Sequence, residues 1–321
     1  MDSLRSFLDA VAALGERIAA VEWPFLAAAI LFSVANLALR SRAWQHILRA
    51  ALPSHPVRYR RAFGAYCAGV GVNAVVPARA GDVVKVFFVK RARPEAPYPT
   101  LVATLVAETV FDFVVATALL VWALQAGLLP GVRLPEIPAF DLSWALRNPL
   151  LAGIIVAGLV VLVLVLGRRV RAFWRKFSQG LAILRTPGRY LVRVATPQAL
   201  GWGCRVSAAF FFLEAFGVPG SLQNALLVQV GSSLGSLFPA TPGGLGPKQA
   251  LMVVLLAGSA SRGEVLAFSV GMELSLVAMN AALGAASMAL MMRSLRFRRA
   301  IDQARAEAGP QAGAAARQPR G

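Results

Sequence analysis

Six charged side chains stand where charge is expensive. Glu108, Asp112 and Glu273 lie inside long apolar runs, and Arg79, Asp82 and Lys248 lie in or beside two stretches where proline and glycine interrupt such runs. Carboxylates at membrane depth handle ions or substrates, or pair with a buried cation. A guanidinium beside freed backbone amides and a helix N-terminus makes a phosphate site. Glu108 and Asp112 are one helical turn apart with Thr104 one turn earlier, so the three share a face. Glu273 has Ser269 a turn before it and Asn280 two turns after. At 1.5 Å per residue from Pro99, Glu108 comes roughly 14 Å into its helix, close to the middle of a bilayer, and Glu273 reaches a similar depth from the opposite side. The competing reading is structural: Glu108 and Glu273 paired with Arg79 or Lys248, and an Arg79–Asp82 pair that merely closes a turn.

The elements that position these groups are two copies of one interrupted helix. Val75 to Lys90 reads VVPARAGDVVKVFFVK, and Gly231 to Lys248 reads GSSLGSLFPATPGGLGPK. Laying Pro77 on Pro239 puts Gly69 on Gly231, Ala78 on Ala240 and Gly81 on Gly243. Such breaks release backbone N–H and C=O groups that lipid cannot satisfy, so they must be buried in protein or line a wet cavity. Around them fall the candidate site residues Asn73, Pro77, Arg79, Gly81 and Asp82 in the first copy, and Pro239, Thr241, Pro242, Gly243, Gly244, Gly246 and Lys248 in the second. GGLGPK fails the phosphate-loop spacing and lacks Ser or Thr after the lysine, which argues against a nucleotide site.

Composition places the breaks in a membrane: 57% of the 321 residues are hydrophobic, 15% are charged and the mean hydropathy is +0.63. Five apolar runs approach or exceed the roughly 20 residues that cross a hydrocarbon core. They are Trp23 to Leu39, Leu101 to Leu129, Leu150 to Leu166, Leu200 to Val218 and Val265 to Met292. The net charge of +18 sits at the ends of these runs, which fits topology and anionic lipid and argues against nucleic acid. Cys67 and Cys204 are far apart, and His46 and His55 have no companions at ligand spacing, so neither a disulfide framework nor a metal site is expected, nor any cofactor.

These signals predict an all-α polytopic membrane protein with an inverted-topology repeat, each half holding a broken re-entrant helical hairpin. Residues 1–22 read as an amphipathic interfacial helix, 23–128 as the first membrane repeat and 129–195 as an outside loop, a linking span and a basic cytoplasmic linker. Residues 196–293 read as the second repeat and 294–321 as a basic disordered tail. The arginines from Arg40 to Arg61 read as a cytoplasmic loop, and the carboxyl end is cytoplasmic on the same rule. In transporters built this way, the substrate site lies near the midplane where the broken helices meet.

The chain resembles the flippase-like membrane family that includes the transmembrane region of lysylphosphatidylglycerol synthases. The likeness rests on Arg42 and Trp44 after the first span, the pattern Asn73, Pro77, Arg79, Gly81, Asp82, then Glu108 with Asp112, and the pattern Pro239, Thr241, Pro242, Gly243, Gly244, Gly246, over roughly residues 20–295. It implies a protein of the bacterial cytoplasmic (inner) membrane that moves or binds a phospholipid or lipid-linked glycan. No soluble aminoacyl-transferase domain follows the membrane region here, so lipid synthesis is not expected and no catalytic residue is assigned. The alternatives are an ion-coupled transporter of a small solute using Glu108, Asp112 and Glu273, or a membrane-embedded lipid-modifying enzyme, which would lack any His-rich, Cys or Ser constellation. Homo-oligomerisation stays open.

Overall fold

The computed structural model of the chain describes residues 21–76, 80–125, 174–235 and 246–315, and these are helical with no strands among them. In chain order the main elements are α1 (Trp23–Ala51), α2 (Tyr59–Val75), α3 (Ala80–Ala92), α4 (Tyr98–Gln125), α5 (Thr196–Ala215), α6 (Leu222–Gly235), α7 (Pro247–Leu255) and α8 (Arg262–Ala315). Among the described residues three stretches are long and apolar enough to cross a membrane by length and composition: Trp23–Ala51, Tyr98–Ala123 and Arg262–Arg293. Their outer surfaces expose large apolar side chains such as Leu31, Phe113, Leu274 and Leu290, as lipid-facing helices do.

α1 starts with Pro24 in its first turn and stops short of Pro53. It buries Ala29, Ser33, Leu37, Ser41, Trp44 and Leu48, a stripe at three- and four-residue spacing, and packs along α5. The sequence places the first span at Trp23 to Leu39 and a basic loop from Arg40. The helix instead continues to Ala51, because Arg40 is neutralised within the protein and Trp44, Gln45 and Leu48 are buried beyond it.

α2 and α3 fold back on one another, and so do α6 and α7. Glycine makes both approaches close. A Cβ at Gly69 would stand 2.6 Å from the Gly81 carbonyl, and one at Gly235 2.9 Å from the Lys248 Cβ. On its other side α2 meets α8 backbone to backbone, where a Cβ at Gly71 would lie 2.6 Å from the Gly284 Cα.

Residues 174–195 were expected as a basic interfacial linker, and they are helical and packed. Ile183 and Val194 are buried with Ala43, Ile47 and Ala107, and Thr100 Oγ1 donates to the Lys176 carbonyl at 2.7 Å. α8 opens on a reciprocal cap, with Ser261 N–H donating to Glu264 at 2.9 Å and Glu264 N–H facing the Ser261 hydroxyl at 3.4 Å. It continues to Ala315, where composition predicts disorder. Ala300, Ala304, Arg305, Ala306, Glu307 and Ala308 are strong helix formers that carry the helix on past Arg299. The expected helix over 1–22, the loop and span over 129–166 and both break tips lie outside the described residues, apart from 21–22, 80–82 and 246.

Candidate functional site

A cavity of about 620 Å³ lies between the two groups of helices, lined from α1 to α4 by Arg40, Tyr66, Asp82, Lys85 and Asp112, and from α5 to α8 by Trp202, Arg205, Gln229, Lys248 and Asn280. Two charged clusters form its polar walls.

The first is centred on Arg40 of α1. Its guanidinium donates to both oxygens of Asp112, at 2.9 and 2.5 Å, and to Glu108 at 3.2 Å, and its Nε donates to the Tyr66 hydroxyl at 2.9 Å. Tyr66 in turn donates to Glu108 at 2.6 Å. Lys85 of α3 stands 3.3 Å from Asp82 and 3.9 Å from Glu108, with its ammonium 4.2 Å from the centre of the Tyr66 ring. Glu108 and Lys85 are only 3% and 6% exposed, so the cost of burying each charge is offset within this neighbourhood. Forked pairing of Arg40 with Asp112 fixes geometry as well as charge.

The second cluster is simpler. Lys248, in the first turn of α7, donates directly to Glu273 of α8, and both are buried. Gly246 precedes it at φ 98°, a left-handed conformation that favours glycine, and its N–H donates to Gln249 at 2.7 Å, so Gly246 turns the chain into α7. Between the clusters, Trp202 Nε1 donates to Asp112 at 3.0 Å while the Arg205 guanidinium lies 4.4 Å from the centre of its ring. Among the described residues no carboxylate comes within ion-pairing distance of Arg205. Arg40, Lys85 and Lys248 face four acids, and Arg205 is the fourth cation.

Of the residues singled out from the sequence, Asn73, Asp82, Asp112 and Lys248 line the cavity, and Glu108 and Glu273 lie behind it as ion-pair partners. Asn73 accepts the Gly81 N–H at 2.7 Å and so closes the first hairpin, and Gly81 is pressed against the Gly69 backbone. Pro77, Arg79, Pro239, Thr241, Pro242, Gly243 and Gly244 lie outside the described residues. Asp82 is paired with Lys85, the cations on Glu108 are Arg40 and Lys85, and Lys248 pairs with Glu273 as the structural reading has it; the Arg79–Asp82 pair lies outside the described residues.

Sequence reasoning passed over Arg40, Tyr66, Lys85, Trp202 and Arg205. By sequence Arg40 belongs with the basic residues that set topology, and Arg205 falls inside the apolar run Leu200 to Val218. A signal was available: one sequence offset separates Arg40 from Arg205, Asn36 from Gly201, Thr104 from Ser269 and Glu108 from Glu273. Asn36 and Gly201 also meet in space, where a Cβ on Gly201 would touch the Asn36 carboxamide at 3.0 Å.

The sequence matches the family described as the lysylphosphatidylglycerol synthase TM region over residues 6–284. It is similar to a UPF0104 membrane protein of Methanocaldococcus jannaschii, at 23% identity over 188 residues, covering 58% of this chain and 78% of that one. It is also similar to Glycosyltransferase AglD of Haloferax volcanii, at 28% identity over 280 residues, covering 73% of this chain and 43% of that one. The chain thus spans under half the length of that second relative. No solved structure matches.

Proposed function

The chain belongs to the family of the lysylphosphatidylglycerol synthase transmembrane region, and on that premise we propose that it is a lipid translocase or lipid-binding transporter of the cell membrane. The halves α1 to α4 and α5 to α8 are inverted repeats, each reading span, re-entrant hairpin, span, and the headgroup of a phosphate-bearing lipid is held between them. The tails stay in the bilayer. No bond is made or broken: the carboxylates serve ion pairs that hold the helices. The repeat reading is supported by the shared offset of the arginines and glutamates, by the two glycine-packed hairpins, and by a Lys–Glu pair in each half. The carboxyl end is cytoplasmic, on the basic flanks of the spans.

The observation that carries this reading is Arg205, a cation without a described carboxylate partner, stacked on Trp202 in a cavity that both halves build. A fixed guanidinium on an aromatic face, with its donors turned to a cavity, suits a phosphate diester. A small anionic solute would use the same group, so the test must separate the two. In proteoliposomes carrying a fluorescent phosphatidylglycerol, Arg205→Gln should slow translocation at least tenfold, with Arg205→Lys between it and wild type. A folded Arg205→Gln protein that moves the lipid at the wild-type rate refutes the assignment.

A further inference from the structure

The charges around the central cavity are largely matched, and its neutral polar groups are not. Its two lining acids, Asp82 and Asp112, are engaged by Lys85 and Arg40, and Lys248 is engaged by Glu273, so among the described residues Arg205 is the lining cation left without a carboxylate. Five neutral side chains on the same lining keep hydrogen-bonding groups uncommitted: Asn36 of α1, Asn73 of α2, Gln229 and Ser232 of α6, and Asn280 of α8. Asn73 accepts the Gly81 N–H through its Oδ1, which leaves its amide N–H groups. Gln229 donates through Nε2 to the Arg205 carbonyl at 3.1 Å, which leaves its Oε1. The Asn36 Oδ1 is buried without a partner, and among the described residues the Ser232 and Asn280 side chains make no hydrogen bond.

We propose that these five side chains select the headgroup, and that what they select is an uncharged moiety with neighbouring hydroxyls, joined to the lipid through a single phosphate diester. The proposal rests on the reading of the chain as a lipid transporter and adds the chemistry of the headgroup to it. A hydroxyl both donates and accepts, so a run of them meets the amide N–H groups of Asn73 and the carbonyl oxygens of Asn36 and Gln229 alike. Such a headgroup replaces the water of the cavity without loss of hydrogen bonds.

Other headgroups fit less well. An alkyl headgroup displaces that water and leaves buried donors and acceptors unmatched, which a site built for hydroxyls rejects. An ammonium or aminoacyl headgroup needs a carboxylate, and both lining acids already hold a cation. One unmatched guanidinium answers one negative charge, which is the charge of a phosphate diester. The volume of about 620 Å³ holds a headgroup of this size, since ligand cavities run to roughly 300–1,000 Å³.

The test is native mass spectrometry of the full chain in detergent, titrated with three lipids. Phosphatidylglycerol is compared with phosphatidylpropanol, which has the same diester and three-carbon headgroup without the two hydroxyls, and with lysyl-phosphatidylglycerol, whose headgroup is cationic. Wild type should retain phosphatidylglycerol at least tenfold more tightly than either of the others. Asn280→Leu combined with Ser232→Ala, at two positions whose side chains hold no other residue by a hydrogen bond, should weaken phosphatidylglycerol at least tenfold and leave phosphatidylpropanol unchanged. Arg205→Gln should weaken both by the same factor, because it acts on the diester they share. Glycerol phosphate at the concentration of the lipid should not displace it, and displacement overturns the lipid reading together with this proposal. Equal retention of phosphatidylglycerol and phosphatidylpropanol, tight retention of the lysyl lipid, or an undiminished preference in the double variant each overturns the proposal. The two readings fail separately: equal retention with slowed translocation by Arg205→Gln removes hydroxyl selection and keeps transport. A hydroxyl preference lost in the double variant, with wild-type translocation by Arg205→Gln, does the reverse.

Discussion

Arg40 and Arg42 sit two residues apart at what the sequence reads as the end of one span, and they should differ sharply in what they hold. Arg42 is exposed, and its guanidinium donates to the buried Gln45 at 2.8 Å. Arg40 faces inward and neutralises Asp112 and Glu108 while bonding Tyr66. Removing one member of a buried ion pair costs about 3–5 kcal/mol, because the partner is left charged and unpaired. Here the Asp112 side chain is 25% exposed, so solvent screens part of that, and about 2–4 kcal/mol is the expected loss for Arg40→Gln. Arg42→Gln, which gives up a hydrogen bond but no ion pair, should cost about 1 kcal/mol. Reversible unfolding in mixed micelles, followed by helical ellipticity, measures both. A double-mutant cycle with Asp112→Asn should give a coupling of about 1–3 kcal/mol for Arg40 and near zero for Arg42. If the two arginines cost the same, or the cycle shows no coupling, the buried cluster is not what holds α1 to α4.

Lys248→Met or Glu273→Leu alone should destabilise by about 3–5 kcal/mol, and the double variant should recover most of that loss, as measured by the same unfolding titration. Gly71→Ala should cost about 1–3 kcal/mol, because its Cβ must push α8 away at Gly284, whereas Gly188→Ala, with open space around it, should change stability by less than about 1 kcal/mol. Arg79→Ala should reduce phosphatidylglycerol co-purified with the protein more than Arg79→Lys does, by lipid mass spectrometry. A cysteine at position 131 should label from outside the cell only, and ready labelling from the cytoplasm contradicts the proposed inverted repeat.

Much of the architecture was legible because membrane helices advertise themselves by length and apolarity, and because glycines needed for close approach are readable at Gly69, Gly81 and Gly231. The acids were legible too, since a carboxylate inside an apolar run has few explanations. Their partners were not. A basic residue near the end of an apolar run serves topology or pairing with equal plausibility in one dimension, and only the packing of α1 against α4 turns Arg40 toward Asp112. The same ambiguity hid Lys85, which belongs to the basic end of the first hairpin by sequence but is buried beneath Tyr66 and Glu108. Arg205 is legible in principle, as a lone arginine that interrupts an apolar segment.

The proposed repeat also explains why Arg205, and not Arg40, should meet the ligand. Both arginines occupy the same place in their halves, on the helix before the hairpin, and each half carries its glutamate at the same offset, Glu108 and Glu273. What differs is the next turn. Asp112 follows Glu108 and takes up Arg40, whereas the same offset from Asp112 leads to Val277. Glu273 is engaged by Lys248, so among the described residues Arg205 has no acid assigned to it. On the proposed reading, the symmetric parts build the scaffold and the missing acid leaves Arg205 to the anion. Val277→Asp should therefore restore in the second half the pairing that Arg40 has in the first, giving a protein at least as stable as wild type that translocates anionic lipid at least tenfold more slowly. Arg205→Gln added to Val277→Asp should bring no further loss of transport. If Val277→Asp transports normally while folded, charge balance at Arg205 does not govern the substrate, and the asymmetry between the halves has some other origin.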